Sequence, residues 1–490
     1  MSVRRTKILA TIGPATDLPE RLTSMLRAGA DAFRLNLSHG TDAEHRATLR
    51  RMHAAARSVG RDVAIVADVQ GPKIRIGDLA APSVELRPGQ AWRLDRDPTP
   101  GDTRRVRVEL PSFRQAARPG DPILLGDGAV ELKVDWVSPD TIGTRVVSGG
   151  AVGSHAGIYL PRAQLRLGAF ATHDRHDAEI ALAGGIDFLA LSFVRDATDL
   201  AEARRWLDRH AEGAEVGLIA KIERAEALAR IDDILGAADG IMVARGDLGI
   251  EVPLARLALE QKRLVRRANV AGKFVIVATQ MLLSMVNSPR PTRAEATDVA
   301  NAVLDGADAV MLSEESAVGH FPIESVRWLA RIAEATEPSY DALPLRGLIS
   351  GDPSDPPGSR AVAAAAVTLA EGVGARAIAN PTHSGRTART VAALRPKVPV
   401  IALSHNAGVR RRLSLVRGVH TLMVPPHRSL VELRREISDR LGSLPGLGTG
   451  PIVLTAGYPI EGRPTNLITL VDPATEGLPT PGRRARVARR

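Results

Sequence analysis

The stretch "VGLIAKIE", residues 216–223, sets one lysine and one glutamate on an otherwise apolar run. In a β-strand, residues two apart face the same side. Lys221 and Glu223 therefore both face a protein interior or both face away from it. Either choice confines two charges, and burying a charge is costly unless it is paired. The lysine is conspicuous for another reason. Of 65 basic residues only seven are lysines, at positions 7, 73, 133, 221, 262, 273 and 397, which leaves 65 − 7 = 58 arginines. A compact ammonium is a point charge with three donors, unlike the planar arginine fork.

Seven more runs of this kind flank the first: "KILATIG", "AFRLNLS", "VAIVADV", "DFLALSF", "GIMVARG", "FVIVATQ" and "AVMLSEE". Helical stretches separate most of them, and strand–helix alternation gives parallel βαβ units. Eight buried parallel strands predict an α/β fold, a closed (β/α)8 TIM barrel, whose active site lies at the carboxyl ends of the strands. Polar residues stand there: Arg34, Asp68, Lys221 with Glu223, Asp247, Thr279 and Ser313. Facing inward, Lys221 and Glu223 put an ammonium beside a carboxylate in a cleft. A structural ion pair at the barrel mouth would use the same two residues.

The alternation breaks after the third run. Residues 72–160 hold short strand-like pieces with dense Pro and Gly and predict an inserted all-β domain, a β-barrel lid at the functional face. Residues 1–71 and 161–344 form the expected barrel. A Pro/Gly/Ser linker, "LISGDPSDPPGS", leads into a C-terminal α/β domain over 345–475 with strands near "ARAIANP", "VPVIALS", "GVHTLMVP" and "GPIVLTAG". The basic tail 476–490 is expected to be disordered.

Cysteine is absent, which removes disulfides, thiolate catalysis and zinc–thiolate sites and fits a reducing, cytoplasmic setting. The N-terminal apolar run is too short for a signal peptide, and "AVAAAAVTLA" (361–370) is far short of a membrane span. The net charge of +10 raises nucleic acid as a partner, but aromatic content of 3% leaves little for base stacking. "HDRHD" (173–177) reads as a polar helix start rather than a metal site. No GxxxxGK[ST] loop and no protein-kinase motif set occurs.

"IMVARGDLGIEVP" (241–253) adds to the chemistry. Asp247 follows the sixth strand and can be a second Mg²⁺ ligand beside Glu223, or simply the cap of a short helix.

"TKILATIGPAT", "ADVQGPKIRIG", "AKIERAEAL", "GIMVARGDLGIE", "VATQMLLSM" and "PRPTRAEATDVANAVLDGADAVMLSEES" together resemble the pyruvate kinase family, in family order and over nearly the whole chain. The resemblance implies phosphoryl transfer from phosphoenolpyruvate to ADP, giving pyruvate and ATP, with Mg²⁺ (or Mn²⁺) as cofactor. It implies that Lys221 stabilises the moving phosphoryl group and the enolate, that Arg34 contacts the phosphate, and that Glu223 and Asp247 hold the metal. The N–H groups of Arg245, Gly246 and Asp247 would bind the substrate carboxylate. Thr279 would sit at the proton-transfer position, with Ser313 relaying the proton. Arg75, His39 and Asn36 match residues near the nucleotide phosphates. A homotetramer is implied, with "NSPRPTRAE" (287–295) as a subunit contact.

The departures from the family are informative. Many relatives carry glutamate where Lys73 stands and hold potassium with the equivalents of Asn36, Ser38 and Asp68. Lys73 is expected to supply that charge, making potassium unnecessary. Ala156 stands where a lysine near the nucleotide is usual, and Glu314 replaces a small residue. "NPTHSGRTAR" (380–389) resembles the family's sugar-phosphate loop: Thr382, Ser384, Gly385, Arg386 and Thr387 form a phosphate cradle for an anionic effector, with His383 replacing a lysine. Two other readings use the same residues: a C–C lyase on the same barrel, and a non-catalytic regulatory or RNA-binding relative.

Overall fold

The computed structural model describes residues 4–72, 74–126, 128–160, 168–211, 215–340, 356–426, 429–442, 450–457 and 465–473. Lys73, the basic tail, most of the Pro/Gly/Ser linker and most of the loop 456–466 lie outside them.

All eight apolar runs are strands: β1 (Lys7–Ile12), β2 (Ala32–Asn36), β3 (Ala64–Asp68), β4 (Phe188–Leu191), β5 (Gly217–Ile222), β6 (Gly240–Ala244), β7 (Phe274–Ala278) and β8 (Ala309–Leu312). Each pairs in parallel with its neighbours in this order, and β8 returns to β1 with Lys7 opposite Ala309, closing the barrel. Buried on both faces, such strands read as continuous apolar runs.

Alternate residues fill the interior. Ala64 and Val66, Ile219, Met242, Ile276 and Met311 belong to one buried cluster, with Phe188 edge-on to Phe274 at 5.3 Å. The same steps of two lead upward from Val66 to Asp68 and from Ile219 to Lys221 and Glu223. The lower end is sealed by the C-terminal domain: Leu415, fully buried, joins this interior cluster, and Ser414 Oγ accepts from Ala64 N at 3.1 Å.

The insertion between β3 and β4 has its own core around Trp92, Phe113 and Leu132. Its described residues form a six-stranded sheet and a separate two-stranded one, with a short helix at Phe113–Ala116. The edges of the larger sheet end at Ile158–Tyr159 and Arg105–Arg107. Arg75 and Ile76 span the gap through single bridges to Gly157 and Val108, because this Pro- and Gly-rich segment is too short to build a full ladder. At the hinge, Gly71 has φ +68°, and a Cβ there would lie 2.9 Å from Ser192 Cβ, so only glycine fits.

The C-terminal domain contains the four expected strands, β9 (Ala377–Pro381), β10 (Val400–Leu403), β11 (Val419–Leu422) and β12 (Ile452–Gly457), in the order β11-β10-β9-β12. A fifth, β13 (Thr465–Val471), pairs antiparallel with β12 and was not anticipated. No helix among the described residues is long and apolar enough to cross a membrane.

Candidate active site

Lys221 stands at the carboxyl end of β5 with all three donors directed at partners. Its Nζ lies 2.9 Å from Glu223 Oε1, 3.2 Å from Asp68 Oδ1 and 2.6 Å from Ser192 Oγ. The inward orientation follows from parity, since Ile219, two residues below, is in the interior cluster. Burial pushes the ammonium pKa down, but Asp68 and Glu223 outweigh it and hold it above that of ordinary lysine. The group therefore stays cationic throughout the neutral range.

Asp68 is the second hub. Its Oδ2 accepts from Arg34 Nε at 2.7 Å, and Arg34 Nη1 donates to Thr11 Oγ1 at 3.1 Å. Burial raises its carboxyl, yet Lys221 and Arg34 together keep it below the usual carboxylate range. Arg34, Asp68, Lys221 and Glu223, separated in sequence by up to 189 residues (223 − 34), thus form one connected charge network.

Glu223 is buried, and its Oε2 accepts from Phe193 N at 2.7 Å. Burial raises its pKa; Lys221 opposes that, and Asp247 pushes it up further. Asp247 is thus close enough to act on this cluster electrostatically. Among the described residues no three His, Cys, Asp or Glu side chains gather as a metal cage. Glu223 and Asp247 are the carboxylates here that could hold a divalent ion, and Mg²⁺ needs only one or two carboxylates, with other oxygens completing its shell.

The loop after β7 is locked against the turn after β6. Thr279 adopts φ +67° and Gln280 +55°, unusual for residues with side chains. Thr279 Oγ1 accepts from Gly246 N at 2.9 Å and donates to Ala278 O at 2.7 Å. The Gly246 N–H, expected to be open to an anion, is therefore held by Thr279. The Arg245 guanidinium turns away into the protein: Nη1 bonds both oxygens of Asp298, at 2.8 and 2.7 Å, and Nη2 donates to Thr279 O at 2.6 Å. Only the Arg245 backbone remains on the site side.

Ser313 follows β8, and its N–H donates to Glu315 Oε2 at 2.7 Å. Glu315 Oε1 accepts from Leu282 N at 3.0 Å, so this buried carboxylate pins the loops after β7 and β8 to each other. Glu314, beside it, is exposed.

The remaining expected residues surround this centre. Asn36 Oδ1 accepts from Ser38 N at 3.3 Å just beyond β2, and Leu37 N donates to Asp68 O at 3.0 Å. His39 is exposed, and its carbonyl meets His45 Nε2 at 2.8 Å. Arg75 belongs to the lid side, with Nη1 donating to His155 O at 3.1 Å, while Ala156 packs on the lid core. "HDRHD" opens the helix Thr172–Ala183, and Asp174 accepts from Gly71 N at 2.9 Å. In the C-terminal domain, Thr382, Ser384, Arg386 and Thr387 line a separate cavity of about 630 Å³ with His383 and His405. Gly385 turns the loop at φ +81°, and its N–H donates to Thr382 Oγ1 at 2.9 Å.

Ser192, Thr11, Glu315 and Asp298 were not anticipated. A serine ending the fourth strand carries no charge to mark it, and the other three act through contacts that sequence spacing does not encode.

A permanently charged lysine between buried carboxylates, at the carboxyl mouth of a (β/α)8 barrel beneath an inserted lid, defines a barrel enzyme built to meet an anionic substrate. Residues 3–326 match the family profile described as "Pyruvate kinase, barrel domain", and residues 360–471 that described as "Pyruvate kinase, alpha/beta domain". The chain is 44% identical to the pyruvate kinase of Methylorubrum extorquens over 422 residues, covering 86% of this chain and 87% of the other. It is 40% identical to that of Geobacillus stearothermophilus, covering 95% and 80%. A pyruvate kinase of Agrobacterium vitis matches at 39%, covering 97% and 98%. The chain belongs to the pyruvate kinase family and is a phosphotransferase.

Proposed function

We propose that the chain transfers the phosphoryl group of phosphoenolpyruvate to ADP, forming pyruvate and ATP in glycolysis, in the cytoplasm and as a homotetramer. The observation that carries the reaction is Lys221, fixed between Asp68 and Glu223 and held fully protonated. Phosphoryl transfer demands positioned positive charge at the moving group more than covalent chemistry. Lys221 and Arg34 supply that charge from adjoining positions on Asp68. Glu223 and Asp247 would hold Mg²⁺, or Mn²⁺ in its place, which when bound neutralises phosphate charge. The N–H groups of Arg245 and Asp247 would orient the substrate carboxylate, that of Gly246 being held by Thr279. Thr279 stands where the enolate is protonated, with Ser313 as relay, and Arg75, His39 and Asn36 face the nucleotide side.

Asp68 already meets Arg34, Lys221 and Ser192, which supports a site that needs no potassium at Asn36, Ser38 and Asp68. Lys73 supplies the remaining charge in this reading. The loop Thr382–Thr387 and its cavity support an anionic effector, a sugar phosphate or a nucleotide. Domain limits at 71/72, 160/161, 344/345 and 475/476 accompany this reading.

The test is pyruvate formation from phosphoenolpyruvate and ADP with Mg²⁺, first in potassium-free buffer and then with potassium. Equal rates support both the reaction and the role of Lys73. A rate seen only with potassium keeps the reaction and discards Lys73. No pyruvate from folded protein under either condition overturns the proposal and favours a lyase or non-catalytic role.

A further inference from the structure

The lid joins the barrel at a hinge that one buried side chain holds on both sides. Asp174 Oδ1 accepts from Gly71 N at 2.9 Å, where the chain leaves for the lid. Its Oδ2 accepts from Ala171 N at 2.9 Å, after the chain has returned. Asp174 is fully buried, and the neighbouring His173 Nε2 lies 3.2 Å from Gly71 O. The hinge is therefore gripped at Gly71 through both its N–H and its carbonyl.

Ser192 stands against the same glycine. A Cβ on Gly71 would lie 2.9 Å from Ser192 Cβ and 3.0 Å from Ser192 O, so no side chain can separate the two backbones. Ser192 Oγ donates to Val69 O at 2.8 Å, two residues before Gly71. That bond takes the only proton of the hydroxyl, since Asp68 Oδ1 is farther away, at 3.4 Å. The oxygen is then left to accept, and Lys221 Nζ donates to it at 2.6 Å. One buried hydroxyl joins the main chain of the hinge to the ammonium.

The next residue makes a parallel link. Phe193 adopts φ +58°, and its N–H donates to Glu223 Oε2 at 2.7 Å. A residue with a side chain stays in that region only where its surroundings over-determine it, and such strain gathers at functional sites. Strand β4 has already ended at Leu191, so barrel closure does not require the bend. The bend lets two consecutive residues beside the hinge hold the cation and the carboxylate of one charge cluster.

We infer that Ser192 is a positioning residue that couples the lid hinge to Lys221. The inference rests on Lys221 as the cation of phosphoryl transfer. The hydroxyl fixes where the ammonium stands and ties that place to the path of the chain at Val69–Gly71. The residue here must be small, because Gly71 is against it, and must both donate and accept; serine does both. A movement of the lid reaches the ammonium through a single oxygen. Shifts of about 1 Å in a positioned group are enough to change a rate by orders of magnitude.

The test is hydrogen–deuterium exchange of the full chain, read by mass spectrometry in the hinge peptide that contains Gly71 and in β8, which lies across the barrel from β4. Ser192→Ala should speed exchange at the hinge about tenfold, the scale of one lost hydrogen bond, with β8 reporting any general loss of fold. Coupling is reciprocal, so Lys221→Met should also speed the hinge in the otherwise wild-type chain. In the Ser192→Ala chain the same change should add less than about twofold, because the link is already cut. In turnover, Ser192→Ala should lower kcat about tenfold or more and leave KM for phosphoenolpyruvate nearly unchanged. The inference is overturned by unaltered hinge exchange in either variant, by equal effects of Lys221→Met with and without the hydroxyl, or by a wild-type kcat in Ser192→Ala. Exchange is read without turnover, so coupled exchange in a chain that forms no pyruvate would support the link and remove only the reaction it serves.

Discussion

Lys221 Nζ and Asp68 Oδ1 meet at 3.2 Å although their strands, β5 and β3, are not neighbours. The intervening strand β4 is followed by Ser192, whose Oγ accepts from Lys221 at 2.6 Å and donates to Val69 O at 2.8 Å. The ammonium thus spans the mouth over a hydroxyl. Lys221→Met should lower kcat for pyruvate formation by at least about a hundredfold, the scale for losing a preorganised electrostatic contact. It should also lower stability by about 3 kcal/mol, because Asp68 and Glu223 lose a shared buried partner. Lys221→Arg should not restore the rate, since the planar fork cannot reach three partners at these angles. An arginine variant at wild-type rate would refute the point-charge argument.

Thr279 couples an unfavourable backbone to a hydrogen bond. Holding a β-branched residue at φ +67° costs on the order of 1–3 kcal/mol. Thr279→Gly relieves that strain but leaves the Gly246 N–H without its acceptor at 2.9 Å. Its unfolding free energy should stay within about 1 kcal/mol of wild type, the two effects being of similar size, while pyruvate formation drops sharply. Thr279→Ser, which keeps the hydroxyl, should recover most of the rate. Parallel loss of stability and rate in the glycine variant would make the residue structural only.

Below the barrel, the imidazole of His420 is largely enclosed, and its buried Nε2 has no hydrogen-bond partner among the described residues. Burial, reinforced by the charge of Lys7, drives its pKa from 6.5 to about 3. The unfolded chain therefore binds a proton near pH 6.5 that the folded chain refuses. The resulting stability is complete above pH 6.5 and is lost as the pH falls from there toward 3, at up to roughly 1.4 kcal/mol per pH unit. Between pH 6.5 and about 5, thermal unfolding of wild type should move down faster than that of His420→Gln. Asp31, with its pKa lowered to about 2 despite burial by Arg4 and Lys7, adds its own loss only at more acidic pH. Identical pH profiles would show that His420 takes up a proton freely in the fold.

Leu415 comes from the C-terminal domain yet is buried in the barrel interior. Leu415→Ala should destabilise the protein by about 2–5 kcal/mol, as for other buried leucines. Because the contact joins two domains, the denaturation transition should also broaden or split. A single sharp transition with little shift would show that the barrel floor closes without it.

Much of this was legible in the amino-acid order. Eight apolar runs ending in polar residues give the barrel, since a strand buried on both faces has no other pattern. The two-residue spacing of Lys221 and Glu223 placed them side by side. What spacing cannot supply is contact across strands. Asp68 carries Arg34 and Lys221 at once, and Arg245 turns its guanidinium inward to Asp298. Those choices depend on how loops from distant parts of the chain pack. The lid's edge strand Ile158–Tyr159 and the antiparallel β13 escaped notice for a related reason. Their apolar residues are few, and their pairing is decided by neighbours rather than by their own periodicity.

The pairing of β1 with β8 joins Lys7 to Ala309, a separation of 309 − 7 = 302 residues. During synthesis the first strand therefore leaves the ribosome long before its last partner exists. One edge of β1 must wait, unpaired, while the lid and six further strands are made. Contacts of such long range are slow to form, and waiting strand edges invite association with other chains. The feature that gives the finished barrel no free edge makes its newborn form the species most in need of a chaperone.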